Sequence, residues 1–362
     1  MSYIIAIETV VPTHCHTKKA FTDFFSNSSE DVATKRKIKI ISDKAGIETR
    51  YSVLKDYSLS PDKFEFYEKD KSLLPEPSLS KRMSIYKEEA LRLSIQAVEK
   101  IKNIHEIKKT ITHLITVTCT GLFAPGLDIE LIRELGLNTN IERSSINFMG
   151  CNAAILALKN ADYICKSNPN AKILIVCTEL CTLHFQKKYN DDYLLSNMLF
   201  GDGCAVVLLT AQPEEIGENK LVKIDSFNSL ILHNGHNDMA WQLSGTGFIM
   251  NLTSYVSTLI KENIKIMLDS LSINTNTIDY WAIHPGGKKI VDDFFETLNI
   301  DKVKASDSYD VLKNYGNMSS PTVLFVLKQV IEKVIVHTKG QTIFSAAFGP
   351  GLSIETTQLS FA

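Results

Sequence analysis

The sequence has almost no excess charge. Its 39 basic and 41 acidic residues leave a formal net charge of −2 over 362 residues. That balance offers no electrostatic footprint for nucleic acid or an acidic polymer. No apolar run reaches the roughly 20 residues of a membrane-spanning helix. The opening stretch MSYIIAIETVVPTH is apolar, but no basic segment precedes it and Glu8 interrupts it. It reads as a first strand, not a signal peptide. The cysteines (Cys15, Cys119, Cys151, Cys165, Cys177, Cys181 and Cys204) are odd in number and include no CxxC pair. Most lie in apolar segments. This is the usage of a reducing, cytoplasmic compartment, and it excludes a disulfide framework or zinc module. His14-Cys15-His16 and the His233/His236 pair read as loop or core histidines, so no metal site is expected. No GxGxxG turn is present for a nicotinamide or flavin cofactor.

What is present is a globular composition, 44% hydrophobic and 22% charged, in a chain long enough for one large or two ordinary domains. The most informative stretch is INFMGCNAAILALKNA. Gly150 precedes a run whose apolar residues Ala154, Ile155, Leu158, Ala161 and Ile164 recur at helical spacing. The spacing therefore predicts that Cys151 sits where a buried helix begins. A helix N-terminus favours anions, and can draw a thiol from a pKa of ~8.5 into the range of roughly 3.5–7.5.

The remaining pattern predicts an α/β chain. Strands are expected at 3–8, within THLITVTCTG, SSINF and AKILIVCTEL, and after a GDG turn at 201–203. Helices are expected at 18–27, 29–42, from Pro77 to about residue 102, around 128–135 and after Cys151. Residues 52–77 read as polar and irregular, and 186–200 as a polar stretch closing with Phe200. The polar segment AQPEEIGENK is the best boundary, giving halves at 1–212 and 213–362. The second half repeats the plan: strand IDYWAIHPGG, a helix at 288–298, the glycine turn NYGN, helix MSSPTVLFVLKQVIEKV, and strands QTIFSAAF and LSIETTQL. Thr120 precedes Cys151 by nearly the same distance as His284 precedes Asn317. In both halves a glycine and then a polar residue, Gly150-Cys151 and Gly316-Asn317, open a helix. The duplication predicts two similar α/β halves whose reactive groups meet at their join.

Those groups are Cys151, His284 and Asn317. Histidine can exchange a proton with a thiol near neutral pH, and an asparagine amide can donate to an oxyanion. Cysteine, histidine and asparagine also describe papain-like hydrolases, but those need no duplicated scaffold. Two neutral donors aimed at one carbonyl oxygen suit an enolate. The expected chemistry is acyl transfer to Cys151, loss of CO₂ from a second thioester, and Claisen attack by the resulting carbanion.

The motifs VTCTGLFAPGLD, NFMGCNAA, LFGDG, WAIHPGG, YGNMSSPTVLF and AAFGPGLSIE keep the order and spacing of one family. Over roughly residues 1–360 the chain resembles the type III polyketide synthases, the chalcone-synthase-like branch of the thiolase superfamily, and looks closer to bacterial members than to plant ones. The resemblance implies a layered αβαβα fold, a homodimer, an acyl-CoA starter with malonyl-CoA as substrates, and no cofactor. By position, Cys151 matches the acyl-carrying nucleophile, and His284 and Asn317 match the pair that supports decarboxylation. Phe200 matches a gatekeeping aromatic. Lys37 and Lys44 match CoA-phosphate contacts, a third of which is Ile40 here, and Lys289 is placed beside the same tunnel. Met250 stands where plant enzymes carry a second gatekeeper phenylalanine, Cys119 where they often carry threonine, and Ala124 where a methionine reaches across the dimer. Cys181, Leu183 and His184 match pocket-lining residues, and Ser319 a serine near the nucleophile. Ala124 and Met250 predict a starter pocket that prefers a flexible aliphatic acyl group, hexanoyl to lauroyl, over flat coumaroyl.

Three other assignments compete. A single-condensation enzyme of the ketoacyl synthase III type would require acyl carrier protein. The HMG-CoA synthase branch lacks an asparagine at the Asn317 position. A non-catalytic thioester-binding homologue would have no physical need of all three polar groups.

Overall fold

The computed structural model describes residues 1–212, 221–253, 255–270, 273–334 and 339–362. The segment 213–220, where the two halves are expected to join, lies outside the described residues.

The chain opens with β1 (Tyr3–Val10), β2 (His14–Thr17), α1 (Lys18–Asn27), α2 (Val32–Lys44) and β3 (Thr49–Ser52). Then follow α3 (Leu79–Glu99), the short α4 (Ile104–Ile107), β4 (His113–Thr118), α5 (Leu127–Leu135), β5 (Glu142–Asn147) and α6 (Ala153–Ser167). The first half ends with β6 (Lys172–Leu180), α7 (Asp191–Leu199) and β7 (Asp202–Thr210). The second half holds β8 (Val222–Ile231), the hairpin β9 (Met239–Ser244) and β10 (Gly247–Leu252), and α8 (Val256–Ser270). It continues with β11 (Tyr280–Ile283), α9 (Lys288–Thr297), α10 (Ser306–Tyr315), α11 (Thr322–Lys333), β12 (Thr342–Gly349) and β13 (Ser353–Phe361). Among the described residues, side-chain caps start three α-helices. Thr17 accepts from the Ala20 amide, Asp31 from Ala33 and Thr34, and Ser78 from Lys81.

Nine strands form one sheet in the order β11-β12-β13-β8-β1-β7-β6-β4-β5 among the described residues. Its two halves meet through only two residue pairs, Tyr3 with Lys223 and Ile4 with Val222. On one side β4 and β6 run parallel and β6 pairs antiparallel with β7. On the other, β11 and β12 run parallel and β12 pairs antiparallel with β13. This is the duplication expected from the sequence. Every residue of β4 and β7 is buried, as strands covered on both faces must be.

The central helices explain that burial. α6 packs against β4 and β6 and also against β12 and β13 of the other half, while α11 packs against β11, β12, β1 and β7. Ala153, Ala154, Ala157 and Ala161 let α6 lie close to both half-sheets. Outside them, α3 covers β1, β6 and β7, and Phe294 and Phe295 of α9 pack on Trp281 of β11. The layers therefore alternate helix, sheet, helix, sheet, helix.

Four readings from sequence are corrected. α6 begins at Ala153, so Cys151 lies in the preceding turn. α11 begins at Thr322, because Met318–Pro321 form a turn, and Asn317 does not cap it. Asp202 belongs to β7 and is buried. Residues 52–77 are irregular as expected, but they are not simply polar. Their Tyr57, Phe64 and Tyr67 pack with Phe21, Phe24 and Phe25 of α1. The stretch is built around the buried Asp56 carboxylate, which accepts amide N–H groups from Glu65, Phe66 and Tyr67 at 2.9–3.2 Å. The Lys, Glu and Asp residues between the aromatics masked that pattern. Removing the carboxylate leaves those donors unpaired. Asp56→Ala should cost about 3 kcal/mol, read as a lower urea midpoint, whereas Asp62→Ala on the exposed side of the same stretch should leave the midpoint unchanged.

Candidate active site

Cys151 is placed by backbone conformations that few residues adopt. β5 ends at Asn147, and the chain then turns through Phe148 and Gly150, both left-handed at φ 58° and 83°. A Cβ on Gly150 would meet Pro350 Cδ at 2.1 Å, so glycine is required both for its dihedral and for this close approach. The Gly150 amide donates to Cys119 Sγ at 3.0 Å, and the Asn152 side chain ties the turn to Ser353 Oγ at 2.8 Å.

Asn317 reaches the same place from the other half. Its amide donates to Leu199 O at 2.9 Å, and Gly201 N donates to Asn317 O at 2.9 Å. These bonds form a β-bridge between Phe200 and Asn317. Gly316 just before it is left-handed at φ 71°, and a Cβ there would approach Leu199 O at 3.0 Å. The Asn317 carbonyl oxygen accepts from Ser319 N at 2.8 Å, while its amide Nδ2 donates to Gly286 O at 3.2 Å. That fixes which end of the amide is the donor. The side chains of Ser319, itself left-handed at φ 60°, and Asn317 act on the Cys151 thiol by lowering its pKa.

His284 follows β11, with its backbone N–H on Ala346 O at 2.8 Å. The ring is 1% exposed, and neither ring nitrogen has a hydrogen-bond partner among the described residues. Gly286, whose carbonyl holds Asn317, donates its own N–H to His284 O and lies against the ring, with its Cβ position 3.6 Å from Nε2. Gly286 thus links His284 to Asn317.

Burial dominates the electrostatics. It pushes the Cys151 thiol up to about 12, against the pull of Ser319, Asn317 and its own amide. It pushes His284 down to about 3. The depressed thiol expected from a helix N-terminus is not found, because Cys151 precedes the helix and is enclosed. Behind the sulfur lies Glu179, which sequence reasoning missed. It accepts from Cys119 N, Thr120 Oγ1 and Ser320 Oγ, each at 2.8 Å, and burial raises its pKa despite those bonds. The signal was a single carboxylate inside the apolar strand AKILIVCTEL.

The cavity beside Cys151 measures about 20 Å³ and is lined by Cys119, Cys181, Phe200, Met250 and Ser319 together with Trp241, the last not anticipated from sequence. His184 does not line that cavity and is held in place behind it. Its Nε2 is 2.7 Å from Thr120 O, its Nδ1 accepts from Phe248 N at 3.1 Å, and its ring stacks on Phe248 at 4.2 Å. Of the remaining candidates, Leu183 is buried in the main core and Ala124 is exposed. A larger cavity, about 440 Å³, opens beyond Leu199 and Gly286 and is lined by Lys44 and Lys289. Lys289 bonds Asp293 and Ser257, and Lys37 pairs with Asp191 on α7.

A thiol raised to about 12 is neutral through the ordinary pH range, so alkylation of Cys151 should climb with pH. Its iodoacetamide rate, read by peptide mass against Cys151→Ala, should rise about tenfold per unit from pH 7 to 9. A rate already on a plateau at pH 6 would mean a standing thiolate and would contradict this geometry.

The comparisons with known proteins agree with this architecture. Residues 1–213 match the N-terminal domain of chalcone and stilbene synthases, and residues 223–361 match their C-terminal domain. The alpha-pyrone synthesis polyketide synthase-like Pks18 of Mycobacterium tuberculosis is 34% identical over 287 residues, which are 76% of this chain and 71% of that protein. Probable polyketide synthase 1 of Dictyostelium discoideum is 31% identical over 98% of this chain, which spans only 11% of that protein's length. Among solved structures, PKS-I from the brown alga Ectocarpus siliculosus superposes with a TM-score of 0.91 at 25% identity, covering 100% of this chain and 98% of that one. The C-terminal type III polyketide synthase domain of Steely1, a type I/III hybrid from Dictyostelium, gives 0.89 at 29% identity and covers 99% of both chains. With both domains matched along nearly its whole length, and the layered duplicated fold in common, the chain belongs to the chalcone and stilbene synthase family, the type III polyketide synthases.

Proposed function

We propose that this protein builds a polyketide by iterative decarboxylative condensation of malonyl-CoA onto an acyl group carried by Cys151. The observation that carries this reading is His284. An imidazole with both nitrogens buried and unpartnered costs free energy that packing does not return. Its vacant valences make sense where a thioester oxygen and the Cys151 proton must be received.

The starter thioester enters from the larger cavity, with its phosphates toward Lys44 and Lys289. As Sγ attacks the thioester carbonyl, its proton passes to His284. The two charges form together, and their mutual attraction in a dry site offsets the burial cost that each would meet alone. The departing CoA thiolate takes the proton from the imidazolium. Malonyl-CoA then loses CO₂, and the electron pair of the broken C–C bond becomes an enolate. Neutral His284 and the Asn317 amide donate to the enolate oxygen. The enolate carbon attacks the acyl thioester, forming a C–C bond and releasing the Cys151 thiolate for reloading. After several rounds the chain cyclises to a pyrone or phenol. Every step is redox-neutral, so the sequence of reactions calls for no electron carrier.

The same reading includes a homodimer. β5 is the outermost strand of the sheet, its residues are almost all exposed, and its outer edge leaves backbone N–H and C=O groups free to pair. Leu122 and Met149 beside it are exposed apolar residues. We place the protein in the cytoplasm on its seven unpaired thiols; no described helix is long and apolar enough to cross a membrane.

Purified protein given malonyl-CoA and acyl-CoA starters should release products spaced by two-carbon ketide units and carry an acyl adduct that disappears in Cys151→Ala. An adduct without extension would overturn iterative condensation. His284→Ala and Asn317→Ala should each slow malonyl-CoA decarboxylation by about 10²–10³-fold, measured as CO₂ release. Aliphatic starters should outcompete coumaroyl-CoA in direct competition, and the reverse order would refute the aliphatic pocket.

A further inference from the structure

The near-zero net charge of the chain conceals a local excess of one sign. α2 carries Lys35, Arg36, Lys37, Lys39 and Lys44 against one acid within the helix, Asp43. Lys37 is paired with Asp191, and Asp43 with Lys18 at 3.7 Å. Lys35, Arg36 and Lys39 are exposed, and none of them is in an ion pair among the described residues.

These charges share a face with apolar side chains. Val32, Lys35, Arg36, Lys39, Ile40 and Asp43 recur at spacings of three and four, so they line one side of the helix. The side bearing Ile38 and Ser42 is buried, and α2 rests on α1 and α7. On the outward side Val32 is 78% exposed and Ile40 45%. Single exposed apolar residues need no explanation, but these two stand among unpaired cations at the rim of a cavity.

That cavity is the larger one, about 440 Å³, and Ile41, Lys44 and Ala45 of α2 line its mouth. Lys44 lies one helical turn from Ile40. Thr253 and Val256 line the same mouth, and Tyr255 between them is 48% exposed. Two further cations there, Lys288 and Lys289, are matched by Asp292 and Asp293. The unpaired charge is therefore concentrated on the α2 rim.

Cations interleaved with apolar side chains suit the surface of an anionic bilayer. The charges meet lipid headgroups, and the apolar tips enter the boundary between headgroups and acyl chains. Tyrosine favours the same depth. We propose that the outward face of α2, with Tyr255 beside the cavity mouth, docks this protein on an anionic membrane surface and turns the mouth toward the lipid. The purpose of docking rests on the condensing activity proposed above. An aliphatic acyl-CoA is an amphiphile, and each methylene favours the bilayer by about fourfold. A lauroyl thioester is therefore concentrated in the leaflet, where a docked mouth can receive it.

The test is sedimentation of the full chain with sucrose-loaded vesicles of phosphatidylcholine containing about 30% phosphatidylglycerol. Wild type should partition onto these and not onto pure phosphatidylcholine, and should be released as salt rises from about 50 mM to about 500 mM. Each cation near such a surface is worth about fivefold in partitioning, so Lys35→Glu/Arg36→Glu/Lys39→Glu should bind at least about 100-fold more weakly. Val32→Asp/Ile40→Asp keeps the cations and should lose about tenfold or more. None of these positions lines either cavity. The triple variant should therefore load hexanoyl-CoA from vesicle-free solution at the wild-type rate, while its loading of lauroyl-CoA carried on vesicles should fall with its binding. A wild type that binds no better than the triple variant would overturn the proposal, and so would binding that survives both sets of substitutions. If Val32→Asp/Ile40→Asp binds as wild type does, the face works by charge alone, as docking of an acidic carrier protein would, and the lipid assignment fails. Sedimentation needs no turnover, so the two proposals fail separately. Loading and condensation without docking would sink only the membrane surface. Docking without any acyl adduct would sink the condensing activity and leave the docking without its purpose.

Discussion

Two backbone hydrogen bonds hold the site together. Asn317 N to Leu199 O and Gly201 N to Asn317 O, each 2.9 Å, join a turn from the second half of the chain to the end of α7 in the first. The half-sheets share only two residue pairs, so they do not by themselves set how Cys151 faces Asn317. The bridge does so locally, and α6 and α11 do so globally by packing between both half-sheets. Gly316 allows the close approach on one side, and Arg50 lies on the other. Its guanidinium is fully buried over the Phe21 ring at 4.0 Å, with Nη1 3.5 Å from Phe200 O. Burial lowers Arg50 to about 9, yet leaves it charged at neutral pH.

The second constraint is dryness. Cys151, His284, Glu179 and His184 are all buried, and burial is the first cause of each shifted pKa. The four resolve it differently. Glu179 collects four protein donors, one amide and three hydroxyls. His184 satisfies both ring nitrogens with backbone groups. Cys151 and His284 stay neutral, with valences unfilled on the histidine. One histidine has both ring nitrogens paired with backbone groups and holds structure, and the other keeps both nitrogens open. That contrast separates two histidines of similar burial.

Much of this was legible in the chain. The strand-glycine-helix units repeated at matching spacing, and they named Cys151, His284 and Asn317 as the groups to converge. α1 and the boundaries of β6 and β12 follow from apolar runs bounded by turn residues. The failures have common physical causes. Asn317 lies outside its helix because left-handed Ser319 intervenes, and Cys151 sits just before α6, after a turn through left-handed Phe148; no propensity marks a serine or phenylalanine for that region. Residues 52–77 hid a buried aromatic cluster because charges on the exposed side diluted the pattern. Glu179 and Trp241 act through contacts with distant segments, at 119–120 and 320 for one and at 119 for the other, and spacing along a chain carries no record of them.

The β9–β10 hairpin forms a two-stranded sheet of its own, separate from the nine strands that carry Cys151 and His284. Its inward face supplies Met239, Trp241 and Met250 to the cavity. Part of the cavity's shape is therefore encoded apart from the catalytic residues. Substitutions on the hairpin can accumulate across descendants of one ancestor without disturbing the bridge or the nucleophile's turn. Such a division lets a lineage diversify its products while the machinery that makes carbon–carbon bonds is inherited unchanged.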